Sequence, residues 1–290
     1  MSLGFAFTIL LDGVSYGMVL FIISVGLTIT MGLMRLVNLS HGSFAMVGGY
    51  VAGYMTQAGG NFYLALLMAA IVSGILGGLA EMTVVRPLYR KGELAQVLLT
   101  IGIVFVSTAA ITEIFGAFPY PIIFPDYLTK PVDIGFRTYP AYRLFLIGVG
   151  GAVAIALWYL IENSLYGAKL RAAVDNPRMA RAVGMNVNLL FTGTFVVGCA
   201  LAGFGGAIGA GIMSLEPSYA LKYVVLFLVV VIVGGEGSFK GSFVAAMSLG
   251  IIDTLGKYFF SQAAPYLLYV AVFVLLLWRP QGLMPAKSVA

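Results

Sequence analysis

Apolar residues occupy nine segments of the chain that are long enough for helices in a membrane, and short polar stretches separate them. A helix needs about 20 residues to cross a bilayer, and in lipid it satisfies its own backbone hydrogen bonds. The second, seventh and ninth segments are short, so each could be a broken or re-entrant helix, and the count of crossings is about eight or nine. The predicted spans are 5–31, 43–57, 62–81, 94–116, 141–161, 189–213, 221–235, 243–260 and 266–278.

The composition agrees with this pattern. Of the 290 residues, 61% are hydrophobic and 9% are charged, whereas soluble domains carry about a quarter charged residues. We therefore predict an all-α, polytopic membrane bundle in which residues 1–290 form one permease-type domain. The chain has one cysteine, Cys199, and one histidine, His41. These numbers exclude an internal disulfide and a metal or haem site built from several histidines of this chain.

The distribution of basic residues predicts the topology. The stretch 86–91 contains Arg86, Arg90 and Lys91, and the loop 162–188 contains four further basic residues. Basic loops lie on the cytoplasmic side, which places the N-terminus outside and the C-terminus inside for nine spans. The proline- and aromatic-rich segment 117–140 is then external, although it carries Lys130 and Arg137. It is interpreted as a structured cap, with a docking surface for an external partner as the alternative.

Sequence signals for enzymatic chemistry are missing. No GxxxxGK[ST] phosphate loop is present, and the glycine-rich stretch 234–242 lacks both the Lys-Ser/Thr ending and the spacing. The chain is therefore not expected to hydrolyse ATP or to be an enzyme. Asp253 and Lys257 lie four residues apart on one helix face, and we interpret them as a structural ion pair. A proton relay through Asp253 is the alternative.

A polar stretch interrupts the apolar pattern near residue 40, and two interpretations stay open. Asn38 or Ser40 could cap the next helix in an ordinary turn. The stretch could also be a broken helix beside a substrate path, because irregular polar backbone at membrane depth is tolerated where it lines a cavity.

The loop 162–188 contains the signals of a short helix over roughly 177–183. Asn176 is a good N-cap, Pro177 suits the first helical position, and Gly184 suits a left-handed C-terminal residue. So short a helix is marginal alone and needs a surface to pack against. That surface is either the membrane, through the arginines, or a groove on a cytoplasmic protein. The pattern places Met179, Ala180 and Val183 on one face, with Arg178 and Arg181 elsewhere.

Three segments resemble the H-type permease subunit of the bacterial high-affinity branched-chain amino acid ABC importers. They are GLTITMGLMRLVNLSHGSFAMVGGYVAGY at 26–54, LRAAVDNPRMARAVGMNVNLLFTGTFVVGCALAGFGGAIGA at 170–210, and the C-terminal stretches VVVIVGGEGSFKGSFVAAM, GIIDTLGKYF and LLLWRPQGL. Their order and spacing extend over nearly the whole chain.

The resemblance implies an inner-membrane permease that imports branched-chain, hydrophobic amino acids. It implies four kinds of partner: a homologous second permease, two cytoplasmic ATP-binding-cassette ATPases, a periplasmic amino acid-binding protein and membrane lipid. ATP and magnesium are expected on the ATPases, and no cofactor is expected in this chain. By resemblance, the coupling helix that contacts the ATPases comprises Asn176, Pro177, Arg178, Met179, Ala180, Arg181, Val183 and Gly184. Candidates for the translocation path are Asn38, Ser40, His41 and Gly42.

Other functions remain open on the sequence. The same machinery could import urea, short-chain amides or other amino acids, because related permeases resemble each other closely. An ion-coupled secondary transporter would need several convergent carboxylates or carbonyls inside the membrane, and Asp253 alone is a weak basis for one. A structural subunit of a membrane enzyme is a third alternative, which the polar breaks and the short cytoplasmic helix disfavour.

Overall fold

A computed structural model describes residues 3–34, 38–89, 91–133, 135 and 138–284. This part of the chain is helical apart from its connections and one small sheet. The helices are α1 (Leu3–Met34), α2 (His41–Gln57), α3 (Phe62–Ala80), α4 (Glu93–Phe115), α5 (Asp126–Thr129), α6 (Ala141–Glu162), α7 (Leu165–Asp175), α8 (Pro177–Ala182), α9 (Val187–Gly209), α10 (Tyr219–Gly234), α11 (Phe239–Phe259) and α12 (Ala264–Trp278).

The nine long helices coincide with the nine predicted spans. Within the part of the chain that the structure describes, five regions are long and apolar enough to cross a membrane, starting with Gly4–Gly32 in α1, and α10 and α12 are shorter apolar helices. The predicted all-helical, polytopic fold is therefore confirmed, and the protein is a multi-pass membrane protein. The short second, seventh and ninth spans are α2, α10 and α12, which have 17, 16 and 15 residues.

Helix α1 lies at the centre of the bundle. Helices α6, α9, α10 and α11 pack around it, and α2 and α3 pack on α9. Glycine allows the closest of these contacts. A Cβ atom on Gly26 of α1 would lie 2.5 Å from the carbonyl oxygen of Gly198 in α9. Such direct backbone packing is typical of helices in lipid, where small side chains let two helices approach.

The two basic loops lie at the same end of the bundle. Arg86 donates a hydrogen bond to Thr192 near the start of α9, and the ring of Tyr89 contacts that of Phe191. Lys240 at the start of α11 pairs with Glu162 at the end of α6. We call this end, formed by 81–89, 162–192 and 235–240, the basic end. Arg90, which contributes to the predicted topology, lies outside the described residues.

The proline-rich segment 117–140 lies at the opposite end, together with the start of α1. It contains α5 and two short antiparallel strands, β1 (Pro131–Asp133) and β2 (Thr138–Pro140). The backbone N–H of Tyr120 donates to the carbonyl of Leu215, and that of Ile123 donates to the Thr56 hydroxyl. These bonds hold the segment against the helices as a structured cap. Arg137 of this segment lies outside the described residues.

Candidate coupling and translocation sites

Helix α8 has the capping residues that its sequence predicts. The side-chain oxygen of Asn176 accepts a hydrogen bond from the backbone N–H of Met179 at 3.0 Å, and Pro177 occupies the first helical position. Gly184 has a φ of +86°, in the left-handed region that favours glycine. The helix ends at Ala182, one residue before the predicted end. Both ends are therefore defined by residues close in sequence, the first by the Asn176 side chain and the second by the backbone of Gly184.

The predicted common face of α8 is wrong in one residue. Ala180 is buried against Ala173 and Val187, whereas the side chains of Met179 and Val183 are 61% and 66% exposed. The reason is geometric, because residues four apart share a helix face and adjacent residues are about 100° apart. Ala180 thus attaches the helix to α7 and α9, while Met179 and Val183 face outward.

The outward surface of α8 combines apolar and basic groups. Arg178 and Arg181 are exposed together with Met179 and Val183. An open groove of about 670 Å³ lies beside them, lined by residues of α7, of the turn after α8 and of α9, including Gly184 and Leu189. Exposed apolar side chains with a basic rim on a rigid helix form a surface suited to contact with another protein. The structure brings together all eight residues that the resemblance assigns to coupling.

The polar stretch 38–42 does not cap α2 in the ordinary way. The side-chain oxygen of Asn38 accepts hydrogen bonds from the backbone N–H of Ser40 at 3.1 Å and from its hydroxyl at 2.6 Å. Ser40, at the N-cap position, makes no side-chain cap bond to the helix. The polar side chains therefore form their own local turn, so the capping interpretation is wrong.

The turn lies deep in the bundle. The Nε2 atom of His41 is 2.7 Å from the carbonyl oxygen of Ile23 in α1. Ile23 precedes the end of α1 at Met34 by eleven residues, which is about 16 Å of helix. A Cβ on Gly42 would lie 2.9 Å from the carbonyl oxygen of Ala220, in the first turn of α10. The first turns of α2 and α10 therefore meet beside the middle of α1, as expected for a broken helix.

Several polar atoms around this turn have no hydrogen-bond partner among the described residues. They are buried and belong to Ser24 of α1, to Asn38, and to His41, Ser43 and Tyr50 of α2. Buried polar atoms in proteins are nearly always paired with protein groups or ordered water. Four of these five residues belong to α2 or to the turn before it, and together with Ser24 they mark a polar track within an apolar bundle.

Asp253 is engaged in the pair that its spacing predicts. Its Oδ2 atom is 2.5 Å from the Nζ atom of Lys257, and this ammonium lies 4.8 Å from the centre of the Tyr16 ring. The structural interpretation of this pair is confirmed. Within the described residues, no group of three His, Cys, Asp or Glu side chains is placed to hold a metal ion.

Sequence reasoning did not find two buried carboxylates that organise the ends of the bundle. Asp12 is only 6% exposed and pairs with Arg143, and it accepts hydrogen bonds from Tyr139 and Tyr258. At the basic end, Glu81 is completely buried. Asp12 lies near the start of the predicted span 5–31, and Glu81 is the last residue of the predicted span 62–81. Apart from Arg86 and Tyr89, which follow Glu81 by five and eight residues, the partners are distant in sequence, so the local pattern contains little signal for them.

The comparisons with known proteins agree with this architecture. The family model described as "Branched-chain amino acid transport system / permease component" matches residues 9–277. The probable branched-chain amino acid transport permease LivH of Methanocaldococcus jannaschii is 23% identical, over 93% of this chain and 87% of the relative. The permease BraD of Pseudomonas aeruginosa is 24% identical, over 97% of this chain and 96% of the relative.

A second permease type and a solved structure are also similar. The permease LivM of Salmonella typhimurium is 27% identical, over 92% of this chain and 68% of the relative. A chain of PsaBC from Streptococcus pneumoniae in complex with Fab has a TM-score of 0.51 at 17% identity, covering 93% of this chain and 89% of that chain. This structural likeness concerns the fold alone. The family model covers most of the chain, and the chain therefore belongs to the branched-chain amino acid transport permease family.

Proposed function

We propose that this chain is the transmembrane permease subunit of an ATP-driven importer for branched-chain, hydrophobic amino acids. The observation that carries the proposal is the outward face of α8. In a chain of this permease family, a capped helix at the basic end exposes Met179 and Val183 together with Arg178 and Arg181. The relatives named LivH and BraD, which are transport permeases for branched-chain amino acids, match nearly end to end.

In the proposed complex, α8 is the coupling helix. It inserts into a groove on a cytoplasmic ATP-binding-cassette subunit, and two such subunits bind ATP and magnesium. Closure of the cassette dimer displaces α8, and the packing of Ala180 on α7 and α9 carries the movement into the bundle. The permease then alternates between outward-open and inward-open states. The basic end faces the cytoplasm of a bacterial cell, and the protein lies in the inner membrane.

The path is proposed to run along the polar track near Asn38 and His41. A homologous second permease supplies the other half, which the similarity of this chain to LivM supports. The track offers a few hydrogen-bonding groups within a mostly apolar bundle, which suits an aliphatic side chain and weak binding. Selectivity then resides largely in a periplasmic binding protein that delivers the amino acid.

Uptake of radiolabelled leucine into proteoliposomes tests this function. The chain is reconstituted alone, and with its second permease, cassette and binding-protein partners, with ATP on either side of the membrane. A cassette subunit that binds but does not hydrolyse ATP is the matched control. We expect uptake only in the complete set with ATP on the cassette side and a hydrolysing cassette.

Two other outcomes would contradict parts of the proposal. Uptake by the chain alone, driven by an ion gradient, would establish a secondary transporter, for which Asp253 is the candidate ion-coupling residue. ATP-driven uptake of urea or a short-chain amide without uptake of leucine would keep the mechanism and replace the substrate.

A further inference from the structure

Glu81 is a completely buried carboxylate whose role is not accounted for by the proposed coupling helix or path. It lies where α3 ends and a π-helical turn, Glu81–Val85, begins. Pro87 follows in a 3-10 turn, Arg86–Leu88. Because proline has no N–H and its ring collides with the carbonyl four residues earlier, a regular helix cannot continue through this point. The helix end is therefore distorted, as often occurs at functional sites.

Three side chains saturate the Glu81 carboxylate. Its Oε1 atom accepts from Arg86 Nε at 3.1 Å and from the Tyr89 hydroxyl at 2.8 Å. Its Oε2 atom accepts from Arg86 Nη2 at 2.8 Å and lies 2.8 Å from the Thr192 hydroxyl. Arg86 Nη2 also donates to the Thr192 oxygen at 2.6 Å. A buried charge is stable only when it is paired and hydrogen-bonded in this way.

Thr192 is the member of this network that belongs to another helix. It lies in the second turn of α9, a few residues after α8 and the turn at Gly184. Its neighbour Phe191 packs against the cluster of Ala173, Ala180 and Val187 and also contacts the Tyr89 ring. The network therefore joins the distorted end of α3 directly to the unit that contains α8.

Helix α3 in turn contacts the polar track. The hydroxyl of Ser73 in α3 donates to the carbonyl of Phe44 in α2 at 3.0 Å. Phe44 lies in the first turn of α2, beside His41 and Ser43. A continuous set of contacts thus runs from α8 through Thr192 and Glu81 to α3, and from α3 to the start of α2.

We propose that Glu81, Arg86 and Thr192 form the link that makes α3 follow α8 and the start of α9, so that movement of α8 reaches the track at α2. This inference rests on the proposed function and assigns positioning roles to three residues outside both candidate sites. The ion pair of Glu81 and Arg86 serves this role because both of its members lie at the end of α3 and both contact the hydroxyl of Thr192 in α9. The hydroxyl of Thr192 is the only group that α9 contributes to the carboxylate among the described residues.

The test uses Thr192→Val, which removes the hydroxyl and keeps the side-chain shape, since loss of Glu81 itself could prevent folding. Thr192→Ser keeps the hydroxyl and is the rescue variant. Thr100→Val is the matched control. Thr100 is also buried, and its hydroxyl bonds to carbonyls of its own helix, as the Thr192 hydroxyl does to that of Asn188, but within the described part of the chain no bond links it to another helix.

The first measurement needs neither partner nor substrate. Amide hydrogen exchange is followed in the full chain in nanodiscs. We expect exchange of residues 82–85 to be at least threefold faster in Thr192→Val than in the natural chain, in Thr192→Ser and in Thr100→Val. Unchanged exchange would overturn the link, whatever the protein transports.

The second measurement is uptake per ATP hydrolysed by the reconstituted complex. We expect Thr192→Val to lower this ratio at least threefold while ATP hydrolysis persists, and Thr192→Ser and Thr100→Val to retain it. A normal ratio in Thr192→Val, or a parallel loss of uptake, hydrolysis and protein yield, would overturn the positioning role. If the natural complex hydrolyses ATP but moves no amino acid, the proposed substrate fails, and the exchange measurement still decides the link.

Discussion

Gly184 follows the end of α8 in a conformation that other residues adopt only with strain. Its φ is +86°, and no heavy atom lies within 4 Å of where its Cβ would be. A substitution there would therefore act through the backbone and not through a clash. For a residue with a side chain, the left-handed region costs about 1–2 kcal/mol, and β-branched residues are the least tolerant.

Replacing Gly184 with valine is expected to uncouple transport while the protein still inserts into the membrane. The strained turn changes the angle between α8 and α9, so the cassette movement no longer reaches α9. Uptake per ATP hydrolysed should fall several-fold. Gly92→Val is the control, because Gly92 is exposed near the same end, has a φ of −61° and has an open Cβ position. Normal coupling in Gly184→Val would make the assignment of this turn wrong.

Residue-scale inference from the sequence succeeded where the signal was local. Asn176, Pro177 and Gly184 could be assigned because caps depend on residues within a turn of each other. The role of Glu81 could not be found, since its partner Thr192 is 111 residues away. The depth of His41 in the bundle could not be predicted for the same reason, because it follows from the contact with Ile23 in another helix.

At the scale of elements, α8 presents an outward face of defined chemistry. Met179 and Val183 are four residues apart and share this face. A carboxylate placed among them would have to lose its water when the helix enters a groove on a cassette subunit, and a buried unpaired charge is costly.

We therefore expect Met179→Glu to weaken binding of the cassette ATPase to the permease at least tenfold, which is about 1.4 kcal/mol. Copurification from detergent and titration by biolayer interferometry both measure this. Leu165→Glu is the matched control, since Leu165 of α7 is 79% exposed and lies outside α8. Equal binding by the two variants would contradict the docking role of α8.

The cap is a second element whose attachment can be tested. Its strand β2 reaches the bundle through Tyr139, whose hydroxyl donates to Asp12 of α1 at 2.6 Å. Burial, together with this hydrogen bond, raises the pKa of the Tyr139 hydroxyl above its ordinary value. The hydroxyl therefore keeps its proton, and the bond persists, at pH values where a free tyrosine ionises.

The sign of the pH dependence follows from that shift. A raised pKa means that the folded state retains the proton. The contribution of protonated Tyr139 to the free energy of unfolding is therefore complete below about pH 10 and is lost as the pH rises further. Between about pH 10 and 11, the melting temperature of the natural chain should fall more steeply than that of Tyr139→Phe. Thermal unfolding in detergent, monitored by intrinsic fluorescence, measures the difference. If the melting temperatures of the two proteins fall equally steeply with pH, ionisation of Tyr139 does not weaken the attachment of the cap.

Much of the helix pattern could be predicted at this scale, and the reason is physical. An apolar run in lipid has few alternatives to a helix, so the nine long helices follow from hydrophobicity. The face of α8 was predicted less well, because Ala180 packs inward on Ala173 and Val187. The strands β1 and β2 in the cap were not predicted, since a pair of three-residue strands has almost no sequence signal.

At the scale of the whole molecule, the ends of the bundle differ in charge and in structure. The basic end contains both basic loops, and residues just before the C-terminus also reach it. The backbone N–H of Leu283 donates to the carbonyl of Val233, and Gly282 packs against Gly235. The opposite end contains the cap and the start of α1, where Asp12 contacts Tyr139. The arrangement predicts that the cap is external and that the basic end is cytoplasmic.

Single cysteine substitutions test this orientation directly, and the natural protein serves as the unlabelled control. Cys199 is buried at 1% exposure, so the natural protein should not react with a membrane-impermeant thiol reagent from either side. Asp126→Cys places an exposed thiol on α5 of the cap, and Asp175→Cys places one at the end of α7 beside α8.

In intact cells with a permeable outer layer, the reagent should label Asp126→Cys and should not label Asp175→Cys. Inverted membrane vesicles should reverse this result, because α8 can meet a cytoplasmic ATPase only if both basic loops lie on that side. Labelling of Asp175→Cys from outside would place the coupling surface away from ATP and would contradict the proposed importer at the level of its topology.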